Sequence, residues 1–345
     1  MSVPIFLTFR NTLILPFFLF MTLFLSFVSL LGGLALTIIG SDKLVEGASA
    51  LAKRLKVSDL LIGLTIVAFG TSAPELTVNL FACFQGQTGL AIGNAMGSNI
   101  VNTLLILGVA AFIFPIRVTS NTTWVEIPLS LLAALMLGVA ANDVFFDGAT
   151  QNQLTRTDGL ALLGFFAIFM YYTFKVAQSS HEDESEAAVK MMSLGKSVLF
   201  AALGMLGLFL GGKLLVDGAI EIAKSFGMSD SLIGLTIVAI GTSAPELATS
   251  ISAALKQKSD IAIGNVIGSN IFNIFFILGI SSIINPLPFE AQNNYDVVVN
   301  IVASLLMFVF VFTGKGREIN RTEGSILVLV YLVYMTWTIY ANLSL

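Results

Sequence analysis

Charge is scarce in this sequence. Asp, Glu, Lys and Arg make up 11% of its 345 residues, against the roughly 25% usual in a soluble globular domain. Hydrophobic residues fill 56% of the chain, so water is a minority solvent, and a soluble enzyme carrying a single anchor is excluded. Cysteine is rarer still: Cys83 stands alone, which excludes a disulfide framework and a thiolate metal centre. Histidine also occurs once, at His181 in the acidic stretch SSHEDESE, leaving no imidazole for an intramembrane catalytic dyad or a His-rich metal site. The formal net charge is −4, so the chain lacks the basic face that nucleic acid requires.

What the sequence has instead is a succession of apolar runs, each near the ~20 residues that cross a bilayer as a helix. Ten candidate spans follow: 17–39 continuing to about 53, 59–84, 89–114, 124–142, 158–177, 194–223, 230–255, 260–284, 297–313 and 323–341. All are expected to be helical, because lipid demands that backbone hydrogen bonds be satisfied internally. The fold class is therefore an all-α polytopic membrane protein. Arg10 before the first run resembles the start of a signal peptide, but no small-residue cleavage site follows, so the run is read as a retained span. The polar stretch 178–193 divides the chain into halves, 1–177 and 194–345.

Basic residues orient these spans. If the middle loop is cytoplasmic, its side holds twelve: Lys53, Arg54, Lys56, Arg117, Lys175, Lys190, Lys196, Lys256, Lys258, Lys315, Arg317 and Arg321. The other side holds Arg10, Arg156 and Lys224, while Lys43 and Lys213 lie within helices. The positive-inside rule then puts both termini outside and the loop in the cytoplasm of a cell whose inner membrane the chain spans.

The halves repeat one another. Adding 171 to a position carries Gly63 to Gly234, Thr71 to Thr242, Glu75 to Glu246, Gly93 to Gly264 and Asn102 to Asn273, with no gap from Gly40 to Gly108. GLTIVAFGTSAPEL at 63–76 faces GLTIVAIGTSAPEL at 234–247, and AIGNAMGSNIVN at 91–102 faces AIGNVIGSNIFN at 262–273. The motif-bearing repeats cover 58–114 and 229–285. Five crossings separate corresponding spans, an odd number, so the copies enter the membrane from opposite sides. Loop charge agrees: Gln85 and Gln87 follow the first motif, Lys256 and Lys258 the second. Two inverted five-helix repeats are the architecture in which secondary transporters place a site at the midplane.

Glu75 and Glu246 sit in apolar spans with no basic residue alongside in their own span, where an ionisable group costs at least ~2.5 kcal/mol and marks a functional site by default. A cation or a proton must balance each. Pro74 and Pro245 precede them and are expected to disturb the helix one turn back, freeing carbonyls near Ala68 and Ala239. Thr71, Ser72, Thr242 and Ser243 lie three or four residues before each glutamate, so their hydroxyls fall on or near its face. The second block adds Asn94, Ser98, Asn99 and Asn102, with Asn265, Ser269, Asn270 and Asn273, as direct or supporting ligands. Such hard oxygens suit Ca2+ and Na+ rather than transition metals. Gly93, Gly97, Gly264 and Gly268 give the small-residue spacing that lets helices approach closely. Asp42, Lys43, Glu46, Lys213 and Asp217 repeat less faithfully and are read as helix-end or gating charges. The first and sixth spans exceed the length of a crossing and are candidates for the moving gate.

GTSAPE paired with GNxxGSN, in duplicate, resembles the Na+/Ca2+ exchanger branch of the Ca2+/cation antiporter superfamily over essentially the whole chain. The resemblance implies a membrane antiporter that is not an enzyme and has no cofactor. Its substrates would be Ca2+ and Na+, and it needs no obligatory protein partner. It further implies that Thr71, Ser72, Glu75, Ser98 and Asn102, with Thr242, Ser243, Glu246, Ser269 and Asn273, coordinate these ions, joined by the carbonyls of Ala68 and Ala239. Some members carry Asp where this chain has Asn273, so the site here holds two carboxylates and stays symmetric. The rival within the superfamily is a Ca2+/H+ antiporter, against which the Thr–Ser pairs speak. An intramembrane hydrolase using Ser72 or Ser243 would need a membrane histidine or an adjacent lysine.

Overall fold

The computed structural model describes the backbone of residues 6–86, 88–179, 192–226, 239–290, 292–313 and 316–343, and their side chains apart from 6–20, 177–179, 239 and 342–343. Helices account for almost all of it: α1 (Phe6–Leu55), α2 (Asp59–Thr71), α3 (Ala73–Phe84), α4 (Thr88–Ile113), α5 (Thr122–Ala140), α6 (Arg156–Ser179), α7 (Leu194–Ser225), α8 (Ala239–Thr242), α9 (Ala244–Leu255), α10 (Ser259–Ile284), α11 (Asn293–Thr313) and α12 (Arg321–Leu343). Eight of the described helices are long and apolar enough to cross a bilayer, and the pair α2–α3, bent by 45°, makes a ninth span. The tenth expected span, 230–255, is described only from α8 onward. Of the central loop, residues 180–191, including His181, lie outside the described residues.

Burial sorts these spans into a core and a lipid-facing shell. α4 and α10 are the core, with 72% and 78% of their most apolar stretch buried, against 17% for α12. Large side chains such as Phe24, Leu31, Leu203, Leu206 and Leu329 are exposed, an apolar surface of the size that only a membrane covers.

The 171-residue relation seen in the sequence reappears in the backbone. π-helical segments begin at Val101 in α4 and Phe272 in α10, each just before a conserved-spacing asparagine, Asn102 or Asn273. Two strand pairs clasp the halves together. Ile116–Arg117 (β1) pairs with Glu318–Ile319 (β4), and Gln153–Leu154 (β2) pairs with Leu287–Pro288 (β3). Each clasp joins a strand of one half to a strand of the other.

The two longest helices, α1 and α7, run antiparallel along the core, packed on each other through a glycine ladder. Gly33, Gly40 and Gly47 meet the other helix's backbone, as do Gly204, Gly211 and Gly218. A Cβ on Gly40 would stand 2.7 Å from the Leu208 nitrogen, and one on Gly204 would stand 2.4 Å from the Leu44 nitrogen. Backbones in such contact have no side chains interlocked between them at these points.

Candidate ion site

The site begins with two helix breaks. Ser72 (φ −83°, ψ 6°) separates α2 from α3, and Ser243 (φ −87°, ψ 9°) separates α8 from α9. Pro74 and Pro245 fall in the first turns of α3 and α9, where a missing N–H costs little. Glu75 and Glu246 follow in those same turns, at the positive end of each helix dipole, which favours a carboxylate. The Ala68 carbonyl differs from expectation. It accepts the Ser72 N–H at 2.9 Å, because a proline at 74 withholds its donor from residue 70, one helical turn earlier, and not from 68; the Thr71 hydroxyl, 3.3 Å away, has its single proton on Asn265 Oδ1, so one lone pair of this carbonyl stays open. Ala239 opens the described part of the second motif, its side chain undescribed.

Each motif reaches across to the other. Ser72 Oγ donates to Glu246 Oε1 at 3.0 Å, and Ser243 Oγ to Glu75 Oε1 at 3.3 Å. Thr71 donates to Asn265 Oδ1 at 3.1 Å, and Thr242 to Asn94 Oδ1 at 3.5 Å. Ser98 Oγ lies 3.4 Å from Glu75 Oε1 as its donor. Thr71, Ser72, Glu75, Ser98, Asn102, Ser243, Glu246, Ser269 and Asn273 are all at most 2% exposed, while Thr242 is half-buried. Among the described residues, the ion pairs found (Lys43–Glu46, Lys256–Asp42 and Lys258–Asp59) leave both buried carboxylates out.

Four oxygens in this cluster are buried without any hydrogen-bond partner: Glu75 Oε2, Glu246 Oε2, Asn102 Oδ1 and Asn273 Oδ1. They form two symmetric pairs. Ser269 Oγ is likewise without a partner. An orphaned buried acceptor costs about 1–3 kcal/mol, more when charged, so a cation at this place would relieve several such costs at once.

The asparagines divide into two roles. Asn99 Nδ2 donates to the Asn270 backbone oxygen at 3.1 Å, and a backbone carbonyl only accepts, so the amide orientation of Asn99 is fixed. Its Oδ1 therefore takes the Asn273 Nδ2 proton at 2.9 Å, which leaves Asn273 presenting oxygen. Asn270 treats Asn102 the same way, accepting Asn102 Nδ2 at 3.2 Å while donating to Thr103 Oγ1 at 2.8 Å. Asn94 and Asn265 brace the glutamates from behind, donating to the backbone oxygens of Glu75 (3.4 Å) and Glu246 (3.3 Å). Asn79 and Ser250, which sequence reading passed over, complete this brace by accepting from Asn94 at 2.7 Å and Asn265 at 3.0 Å. They could have been found: both are polar, stand 171 apart, and follow their glutamate by four residues.

Close helix contact delivers these side chains. A Cβ on Gly264 would meet the Leu60 oxygen at 2.9 Å, and one on Gly268 the Ala68 Cβ at 2.7 Å, so α10 lies directly on α2. Gly93 and Gly97 have no described atom in that range; the residues that the repeat would put there, 231–239, have no described side chains. The less faithful charges are elsewhere. Lys43 pairs with Glu46, and Asp42 with Lys256 and Ser252.

The chain matches the family model described as sodium/calcium exchanger protein over residues 25–175 and 196–340. It belongs to the sodium/calcium exchanger family. It is similar to the sodium/calcium exchanger MaX1 of Methanosarcina acetivorans, 34% identical over 91% of this chain and 99% of that one. It is also similar to the Ca2+/H+ antiporter ChaA of Bacillus subtilis, 27% identical over 79% and 81% of the two chains. Among solved structures, the sodium-calcium exchanger NCX_Mj soaked with 10 mM Na+ and zero Ca2+ superposes with a TM-score of 0.79 at 34% identity, covering 91% of this chain and 99% of that one. The protein is thus a polytopic membrane transporter of the calcium/cation antiporter kind, and not an enzyme.

Proposed function

We propose that this protein exchanges Ca2+ for Na+ across the cell membrane, both ions using in turn the cluster around Glu75 and Glu246. The observation that carries the reading is the quartet of unpartnered oxygens on Glu75, Glu246, Asn102 and Asn273, which includes both carboxylates, neither of them in an ion pair found among the described residues. Two carboxylates match one Ca2+ in charge, and carboxylate, amide and hydroxyl oxygens are the ligands that Ca2+ takes in sets of about 6–8. The hydroxyls of Thr71, Ser72, Ser98, Thr242, Ser243 and Ser269 and the carbonyls of Ala68 and Ala239 complete the ligand set. The two halves, 1–177 and 194–345, joined by the loop 178–193, rock or slide about this cluster so that it opens to one side at a time. Only a filled, neutralised site crosses the barrier. The central loop is cytoplasmic and both termini lie outside.

Coupling to protons is the second reading, favoured by the similarity to a Ca2+/H+ antiporter. The hydroxyl pairs of the two motifs favour Na+, since a proton needs a single acceptor and gains nothing from four hydroxyls. Calorimetric titration of the purified protein with Ca2+, at rising Na+ and fixed pH and then at falling pH without Na+, tests the choice. Apparent Ca2+ affinity that falls with Na+ is expected. Affinity indifferent to Na+ but weakened by acid would overturn it.

A further inference from the structure

A second buried carboxyl stands apart from the ion site. Glu126, in the first turns of α5, is 1% exposed and so is hidden from lipid as well as water. Its Oε1 accepts the Tyr172 hydroxyl of α6 at 2.7 Å, while Oε2 has no partner. One turn further along α5, Ser130 is 2% exposed and its Oγ is also without a partner. Residues four apart share a helix face. The backbone is unusual here too. Thr122–Glu126 is π-helical, a distortion that gathers at functional positions, and the π segments of α4 and α10 hold Asn102 and Asn273.

Among the described residues, no ion pair found includes Glu126. Among the described residues, Tyr172 is the titratable side chain bonded to it. On the elements around it, Asp296 of α11 accepts from Tyr334, Asp158 of α6 accepts from Thr155, and Lys175 of α6 is exposed. Asp260 of α10 lies beside Asp59 and Lys258, and Arg117 of β1 is exposed. A lone carboxylate in such surroundings is neutralised rather than kept charged. Two unpartnered oxygens, not bonded to each other, are too few for a metal ion, which in the case of Ca2+ takes about six or more, whereas a proton on Oε2 neutralises the carboxyl with no further ligand. The other half makes the same point by contrast. Ile127–Pro128–Leu129–Ser130–Leu131–Leu132 matches Ile301–Val302–Ala303–Ser304–Leu305–Leu306, so the place of Glu126 is taken there by Asn300, permanently neutral and 2% exposed.

We infer that Glu126, with Tyr172, is a proton-binding site separate from the ion site: it holds a proton in the packed arrangement of α5 and α6 and releases it when that packing loosens, so that pH acts on transport through it. The site stands without the exchange reading, and only the transport arm of its test rests on that reading. Infrared spectra at neutral pH on E75Q/E246Q protein, with and without E126Q, should differ by one protonated-carboxyl band, and Tyr172→Phe should move that band by removing its hydrogen bond. Spectra identical with and without E126Q would overturn the site. In proteoliposomes with saturating Ca2+ and Na+, E126Q should give at alkaline pH the rate that the unmodified protein gives at acid pH. An acid-to-alkaline rate ratio unchanged by E126Q would overturn the control by pH, whichever ion drives transport. Glu126→Asn, the residue of the other half, serves if the glutamine variant does not fold.

Discussion

Glu75 and Glu246 each offer one oxygen to a serine of the opposite motif and keep the other unpartnered. Replacing either by glutamine removes half of the site's charge and leaves the remaining carboxylate without its share of the cation. Breaking a buried charge pair costs about 3–5 kcal/mol, so Glu75→Gln and Glu246→Gln should each weaken Ca2+ binding by about a hundredfold or more, measured by calorimetry. Asn99 touches no ion in this account, yet it decides which end of the Asn273 amide faces the site. Asn99→Ala should therefore lower Ca2+ affinity by about 10–100-fold, the range for partners that orient a metal ligand, and an unchanged affinity would remove Asn99 from that role. The residue types and their spacing were legible in the sequence. The resemblance also singled out Asn102 and Asn273; how Asn99 and Asn270 hold them was not legible, because that follows from contacts such as Asn99 to Asn270, across 171 residues.

At the scale of helices, the Pro-Glu motifs announced a disturbed span, and the structure has it as the 45° bend at Ser72. The consequence for Ala68 was misjudged, since a proline's effect on carbonyls depends on counting the turn from the missing donor. π-helical segments leave no mark in residue type; they are a shift of hydrogen-bond register, and only coordinates reveal them. The glycine ladder was present at 33, 40, 47, 204, 211 and 218, but spacing alone does not say which helix it meets. Gly40→Val would force α1 and α7 apart, and overpacking of this kind costs about 1–3 kcal/mol. A lowered thermal midpoint and slower turnover are expected, with Ca2+ affinity at Glu75 and Glu246 changed less than turnover. A loss of affinity equal to the loss of turnover would contradict the separation of gate from site.

The whole molecule is two copies of one design, facing opposite ways. Span counting and loop charge made that legible before any coordinates, because a 171-residue offset survives in nearly identical motifs. Gln85 and Lys256 are matching, exposed positions after α3 and α9, so cysteines placed there should react with a membrane-impermeant maleimide from opposite sides. Gln85→Cys is expected to label from outside and Lys256→Cys from the cytoplasm, while native Cys83 is buried. Labelling of both from one side would undo the inversion. What drives transport is tested most directly in proteoliposomes, by following radiolabelled Ca2+ uptake under an outward Na+ gradient at equal pH, and then under a pH gradient without Na+. Uptake that requires the Na+ gradient and ignores the proton gradient is predicted; uptake driven by protons and indifferent to Na+ would contradict the account.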